Sequence, residues 1–413
     1  MVVHSNPDTS LRPLISRSRR RRTGVMTLAT LALVVAACAG ATSNDSTSDT
    51  GEGGSDGVDT AAIDLATLTT PGVLAARCPT TVAVQTDWFP QAEHGGTFEL
   101  LGNDAVVDVG AGVTRGALTF RGVDTGVDLE IRAGGPFLES PVVTEMYLDD
   151  SVTLGYVGND TAISRYADAP TIAVFNALAV SPQAILWNAD LHPEARTIAD
   201  IAREVPRISV FGDRPFMRYL VANGTIAPDQ IDGNYKGNLL LLTDDIAHQG
   251  YATSEPHKYA THPDTSLTAG WQLLHDVGWT QYPQNLAIRA DRIDELRPCL
   301  SALVPMMQHA KLDYLSDPVR TNALIVRVVG ELDSYWTQTD DDVSFGHRAM
   351  LDLGVITNGN TPTFGDLEAD RVDAFIATAT PILRAQGLEV PDLSAADIAT
   401  DEFLDPTITF ARS

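Results

Sequence analysis

Residues 80–96 read TTVAVQTDWFPQAEHGG. Thr80–Thr86 alternates apolar and polar side chains at period two and is rich in β-branched residues, which predicts a strand. The turn after it crowds Trp88, Phe89, Glu93 and His94 together. Pro90 stiffens this turn, and Gly95-Gly96 let another backbone approach closely. An aromatic at a turn usually serves the core, and a lone turn histidine usually caps or faces solvent. Both types together suit a flat ligand, stacked by rings and gripped at its edge.

Outward from this stretch, Asp128–Ala133 (DLEIRA) and Val152–Val157 (VTLGYV) predict two more strands, closed by Gly134-Gly135 and by Gly158. A helix is expected at Val142–Leu148 between them. Strands alternating with helices predict a mainly parallel α/β sheet, with Val106–Phe120 as an inserted hairpin beside it. Thr171–Leu178 and Gln183–Trp187 read as strands leaving this first lobe. Ile198–Val205 reads as a helix, Arg207–Phe211 as a strand, and Arg214–Asn223 as a helix capped by Asp213. Gly250–Thr253 ends another strand, and Leu273–Ile288 reads as the return crossing. The remainder is helical: Asp291–Tyr314, Pro318–Trp336, Val343–Leu353 and Leu367–Gln386. The plan is two lobes, with residues 76–170 plus 270–413 in the first and 171–269 in the second. Ligands of open α/β sheets lie beyond the carboxyl ends of strands, and pockets favour domain interfaces. The segments to inspect are therefore Asp87–Gly96, Gly158–Thr161, Gly212–Arg214 and Ser254–His257.

The string TDWFPQAEHGG resembles the first-strand motif of the solute-binding proteins of ABC importers that take up pyrimidine precursors of thiamine. That family extends to sulfonate, taurine, nitrate and riboflavin binders. VDLEIRAGGP (127–136), LGYVGNDT (154–161), QGYATSEP (249–256), LHDVGW (274–279) and TDEFLDP (400–406) continue the likeness in order. It covers about residues 78–408; the first string is fairly specific and the others are individually weak. The resemblance implies a periplasmic-binding-protein type II fold, two lobes joined by a hinge with the ligand cleft between them. Carried over by position, it implies ligand contacts at Trp88, Glu93, His94, Asn159, Asp160 and Glu255. Arg214 is a further, weaker candidate, and Phe89 is expected to be packed. Asp160 has a second reading as the cap of a helix starting at Thr161, and Glu255-Pro256 as a plain helix start. The family also resembles a eukaryotic enzyme that builds the pyrimidine from its own histidine with iron and a cysteine-rich motif. This chain lacks that cysteine cluster, so catalysis is not expected despite His94.

The first forty residues read as an address. A basic cluster (Arg17, Arg19–Arg22) precedes the apolar run VMTLATLALVVAA at 25–37. This run is shorter than the roughly 20 residues of a spanning helix and fits an export signal. It ends in Val35-Ala36-Ala37-Cys38, which resembles a lipobox, so 1–37 is expected to be a lipoprotein signal peptide and Cys38 the lipidated mature N-terminus. The alternative is an ordinary signal cut near Ala37. The following AGATSNDSTSDTGEGGSDGVD has almost nothing to bury, so 38–75 is expected to be a flexible tether. Export leaves Cys78 and Cys299 as an even pair in an oxidising compartment. They read as a disulfide or as two buried thiols.

The chain has 413 residues with 28 basic and 54 acidic side chains, a net charge of −26. Such a surface repels phosphate backbones, so nucleic acid is not an expected partner. No Gly-x-Ser-x-Gly elbow, His-Glu-x-x-His, Cys-x-x-Cys or Walker loop occurs. No histidine pair has ligand spacing on one expected helix, and Asp340–Asp342 reads as a charge run before a helix. No metal or cofactor is expected. Together with the export signal, the resemblance implies a monomeric solute-binding lipoprotein at the extracytoplasmic face of the membrane, serving an ABC permease and ATPase. Its solute is expected to be a flat nitrogen heterocycle such as a thiamine pyrimidine precursor. The alternatives are a sulfonate, taurine or nitrate binder, or an exported α/β hydrolase or transferase.

Overall fold

Val82 and Val84 on one face of the first strand and Ala83 on the other are all buried. Burial on both faces marks a central strand of a covered sheet. The computed structural model describes residues 63–235, 246–263 and 266–411. These belong to one compact unit, Asp59–Ser413. The expected signal peptide, Cys38 and most of the tether lie outside the described residues.

The strands are β1 (Thr81–Gln85), β2 (Val106–Asp108), β3 (Val113–Phe120), β4 (Val123–Arg132), β5 (Val152–Val157), β6 (Thr171–Asn176), β7 (Gln183–Asn188), β8 (Ile208–Ser209), β9 (Ile231–Asp232), β10 (Ala247–Tyr251), β11 (Ala269–Leu273) and β12 (Asn285–Arg289). Two sheets result, in the orders β2-β3-β4-β1-β5-β12-β6 and β11-β7-β10-β8-β9. In the first, β1 runs parallel to β4 and β5, while β12 is antiparallel to both β5 and β6. The reversal follows from the chain path. The chain leaves at the carboxyl end of β6, builds the second sheet, and re-enters from that same end. This is the two-lobed α/β architecture of the periplasmic-binding-protein type II fold. The hairpin β2–β3 extends the β4 edge, where the sequence places it.

Three expectations shift. β6 belongs to the first sheet and β11 to the second, so the crossings fall at 177–182 and 274–284 rather than at 171 and 269. Ile63–Ala75, assigned to the tether, carries a short helix, Leu65–Leu68, and buries Leu68, Val73 and Leu74 against the core. These apolar residues follow directly on the polar stretch, and the core they join comes from residues far away in sequence. Asp213 is not a cap: the helix Pro215–Ala222 starts after Arg214 with no side-chain cap bond, and Asp213 instead accepts from Arg218 Nε at 3.1 Å.

One apolar core lies between the first sheet and the helices Ile293–Ser316, Val319–Leu332 and Asp340–Asp352. Cys78 and Cys299 form a disulfide at this core, with Cα atoms 4.5 Å apart. A second core covers the other face of that sheet through the helices Val142–Leu148 and Ala369–Ala385. It continues into the second lobe through Ile185, Trp187, Phe216 and Leu220. The lobes therefore share apolar packing on one side. Among the described residues no helix is long and apolar enough to cross a membrane.

Candidate functional site

Beyond the carboxyl ends of β1 and β5, and facing the second lobe, lies a cleft of about 670 Å³. A more open groove of about 840 Å³ runs between the helices Pro215–Ala222 and Ala369–Ala385. That groove is lined mainly by the two helices, with Asp213 at its edge, whereas residues following several strands converge on the cleft.

Rings form one wall. Trp88 meets Phe89, Phe211 and Trp336 edge-on, with centroids 5.9, 5.9 and 6.0 Å away. Phe89 stacks on Trp336 at 5.9 Å with 5° between planes, and packs as the sequence suggests. The turn after β4 makes room for the indole. A Cβ at Gly135 would sit 2.9 Å from the Trp88 ring, and one at Gly134 would sit 2.2 Å from the Thr86 carbonyl oxygen. Gly135 also has φ +62°, so a side chain there is both strained and obstructed. Tyr235 and Tyr251 continue the ring wall from the second lobe.

Among the charged groups, carboxylates predominate. Asp87, Glu139, Asp160, Asp213 and Glu255 line the cleft against Arg165 and Arg214. Asp87 pairs with His94 Nε2 at 2.8 Å and accepts from Gln284 Nε2 at 3.0 Å. Asp160 Oδ1 accepts from the Thr161 N–H at 2.7 Å. With its amide nitrogen turned toward Asp160, Gln281 adds bonds at 2.8 and 3.3 Å. Burial raises the Asp160 pKa, opposed by Thr161 and by the Arg214 charge. Glu255 Oε2 accepts from the Tyr251 N–H at 2.8 Å, and burial pushes its pKa up to about 7. Burial, then Asp87 and Glu93, raises the Tyr251 pKa. Arg214 lies over the Phe211 ring at 5.7 Å. Its Nε is buried without a partner, and it makes no ion pair among the described residues.

Of the residues proposed from sequence, Trp88, Asp160, Arg214 and Glu255 line the cleft. Glu93, His94 and Asn159 sit behind it. The single turn Ala92–His94 rolls the first two inward, leaving Glu93 3% and His94 0% exposed. Glu93 Oε1 accepts from Thr253 Oγ1 across the lobes, and its carbonyl accepts from Lys311 Nζ at 2.8 Å. His94 holds Asp87 and meets the Tyr156 ring edge-on at 4.9 Å. Asn159 Oδ1 accepts from Asn285 Nδ2 at 2.6 Å and its N–H donates to the Tyr282 carbonyl, tying β12 to β5. Sequence reasoning missed Asp87, Phe211, Tyr235, Tyr251 and Trp336. Asp87, Phe211 and Tyr251 sit in or next to strand ends that the sequence indicates, whereas Tyr235 follows β9, a two-residue strand that the sequence does not indicate. Trp336 lies in a helix–helix connection, where no such signal exists. Among the described residues His94 Nε2 bonds Asp87, and its Nδ1 is buried without a partner.

No family model and no curated protein sequence matches the chain. Its path is similar to that of solved binding proteins. The alkanesulfonate-binding protein SsuA from Xanthomonas axonopodis pv. citri, bound to MOPS, aligns at 15% identity over 78% of this chain and 99% of that one, with a TM-score of 0.48. The periplasmic aliphatic sulphonate binding protein SsuA from Escherichia coli aligns at 12% identity over 81% and 94%, with a TM-score of 0.49. The periplasmic nitrate-binding protein NrtA from Synechocystis PCC 6803 gives 11%, 78%, 87% and 0.48. At these values the likenesses assign no ligand and no partner to this chain.

Proposed function

We propose that this protein is the solute-binding component of an ABC importer, tethered to the extracytoplasmic face of the membrane through a lipid on Cys38. It binds a flat nitrogen heterocycle of the aminopyrimidine kind, as in a precursor of thiamine, and delivers it intact to a permease and its ATPase. The observation that carries the ligand class is the meeting of the ring wall at Trp88 with five carboxylates against two arginines. A carboxylate about 5 Å from a bound oxyanion opposes it by about 3 kcal/mol at an effective dielectric constant of about 20. The same carboxylates accept bonds from ring and amino N–H groups. One observation favours a second reading, a sulfonate, taurine or nitrate: the Arg214 Nε is buried without a hydrogen-bond partner.

Glu255 supplies a test with a definite sign. Its raised pKa means that the carboxylate ionises as pH rises through about 7. A ligand donating N–H to it prefers the ionised form, so affinity rises from pH 6 to pH 8, and binding at pH 7 releases protons. Calorimetry in buffers of different ionisation enthalpy measures the release, with thiamine's hydroxymethyl aminopyrimidine moiety as the probe. Glu255→Gln is expected to remove it. Proton uptake on binding would instead mean that the ligand presents an acceptor to a protonated Glu255. The anchor has its own test. Cys38→Ser is expected to change both membrane association and apparent mass, because lipidation and signal cleavage both depend on that cysteine, and unchanged partitioning and mass would refute the lipid.

A further inference from the structure

On the side of the molecule away from the shared apolar core, the connection between the helices Val319–Leu332 and Asp340–Asp352 reaches across to the second lobe. Asp333, with φ +46°, ends the first of these helices. Trp336 follows it into the cleft wall. What fixes Trp336 there comes from both lobes. From the first lobe, Phe89 stacks on it and Trp88 meets it edge-on. From the second lobe comes Lys258, on the helix Glu255–Ala260, whose ammonium lies 5.2 Å from the Trp336 ring centroid.

The Lys258 ammonium is held by three groups of the connecting segment at once. It donates to the Thr337 carbonyl at 2.9 Å, lies 3.4 Å from Asp342 Oδ2, and faces the Trp336 ring. Asp342 is itself fixed, because its carboxylate accepts from Thr339 N and Oγ1, both at 2.9 Å, in the capping box of its helix. The neighbouring His257 stacks on Phe345 at 4.9 Å with 15° between planes, and its Nε2 lies 3.9 Å from Asp342. Lys258 and Asp342 side chains are 16% and 13% exposed. A pair this sheltered is screened less by salt than a surface pair. The helix that carries Lys258 also starts with Glu255, which lines the cleft.

We infer that Lys258 is a positioning residue that clasps the 333–342 connection to the second lobe and thereby sets Trp336 as a wall of the ligand site. Closure of the lobes and completion of the ring wall are then one event. When the lobes part on this side, Lys258 leaves Asp342 and Thr337, and Trp336 loses its second-lobe support. The clasp itself stands independently of the ligand assignment; only its effect on ligand release rests on the proposed binding function.

The experiment compares wild type, Lys258→Met and Lys258→Arg without ligand. Fluorotryptophan is incorporated, and the fluorine resonance of Trp336 is assigned through Trp336→Phe. Lys258→Met is expected to shift or broaden that resonance, with a smaller effect on Trp88 beside it and none on the other tryptophans, and to lengthen the interlobe distance between spin labels placed on surface positions of the two lobes. Lys258→Arg keeps a cation within reach and is expected to restore both readouts. The hydroxymethyl aminopyrimidine moiety of thiamine is then added. Its dissociation from Lys258→Met is expected to be about tenfold faster, with little change in association rate. An unchanged Trp336 resonance and interlobe distance in Lys258→Met would overturn the clasp. If those ligand-free readouts change while no heterocycle binds wild type, the clasp stands and the ligand assignment fails.

Discussion

Replacing Cys78 and Cys299 by alanine is expected to lower the free energy of unfolding by about 5 kcal/mol on the chain-entropy model. The size comes from the loop: the bridged residues are 221 apart, so the crosslink removes many conformations from the unfolded chain. Its placement matters as much. Cys78 lies just ahead of β1, the central strand of the first sheet, and Cys299 is buried in the helix Ile293–Ser316. The bond therefore joins the beginning of the first lobe to the segment that returns to it after the second lobe is built. Denaturant unfolding of the double variant beside the oxidised parent measures the loss. A midpoint within error of the parent would show that the bond contributes nothing. Titrating two thiols in unfolded, unreduced protein lacking Cys38 would show that it does not form.

Trp88→Ala is expected to weaken binding of the hydroxymethyl aminopyrimidine by about 2–3 kcal/mol, roughly a 30- to 160-fold rise in Kd. Trp88 is the centre of the ring wall, touching Phe89, Phe211 and Trp336. It is only partly buried, so removing it costs the ligand its largest apolar partner and leaves the main core intact. Melting temperature and circular dichroism check the fold, and calorimetry checks the affinity. Glu93→Gln belongs to a different class. Glu93 accepts from Thr253 across the lobes and neighbours the buried Lys311, whose pKa is lowered by burial to about 8. Neutralising Glu93 leaves that ammonium uncompensated, so the larger effect falls on stability and closure rather than on ligand contact.

Much of the fold was legible because its elements obey short-range rules. β5 and the helix Val142–Leu148 begin and end at the residues that alternation and helical spacing indicate. The lobe boundaries were not legible in the same way. β6 looks like any other strand and β11 carries no strand signal of its own, and only hydrogen bonding to β12 and β7 decides which sheet each joins. The site divides along the same line. Trp88, Asp160, Arg214 and Glu255 follow strands directly, so the strand-end rule finds them. Glu93 and His94 also follow a strand, but the tight turn Ala92–His94 reverses which way they face. Trp336 is brought to the cleft by packing between elements more than two hundred residues apart in sequence, and local patterning carries no trace of that.

The most direct test of the central claim is a calorimetric titration of the purified protein with a panel of aminopyrimidines, flavins, taurine, alkanesulfonates and nitrate, with mass spectrometry of the ligand recovered afterwards. Saturable one-to-one binding of an aminopyrimidine is expected, abolished or strongly weakened in Trp88→Ala, with the ligand recovered unchanged. Tight binding of a sulfonate, taurine or nitrate with no response to any heterocycle would contradict the ligand class and move the anchor to Arg214. Recovery of a chemically altered ligand would contradict the binding-protein account itself.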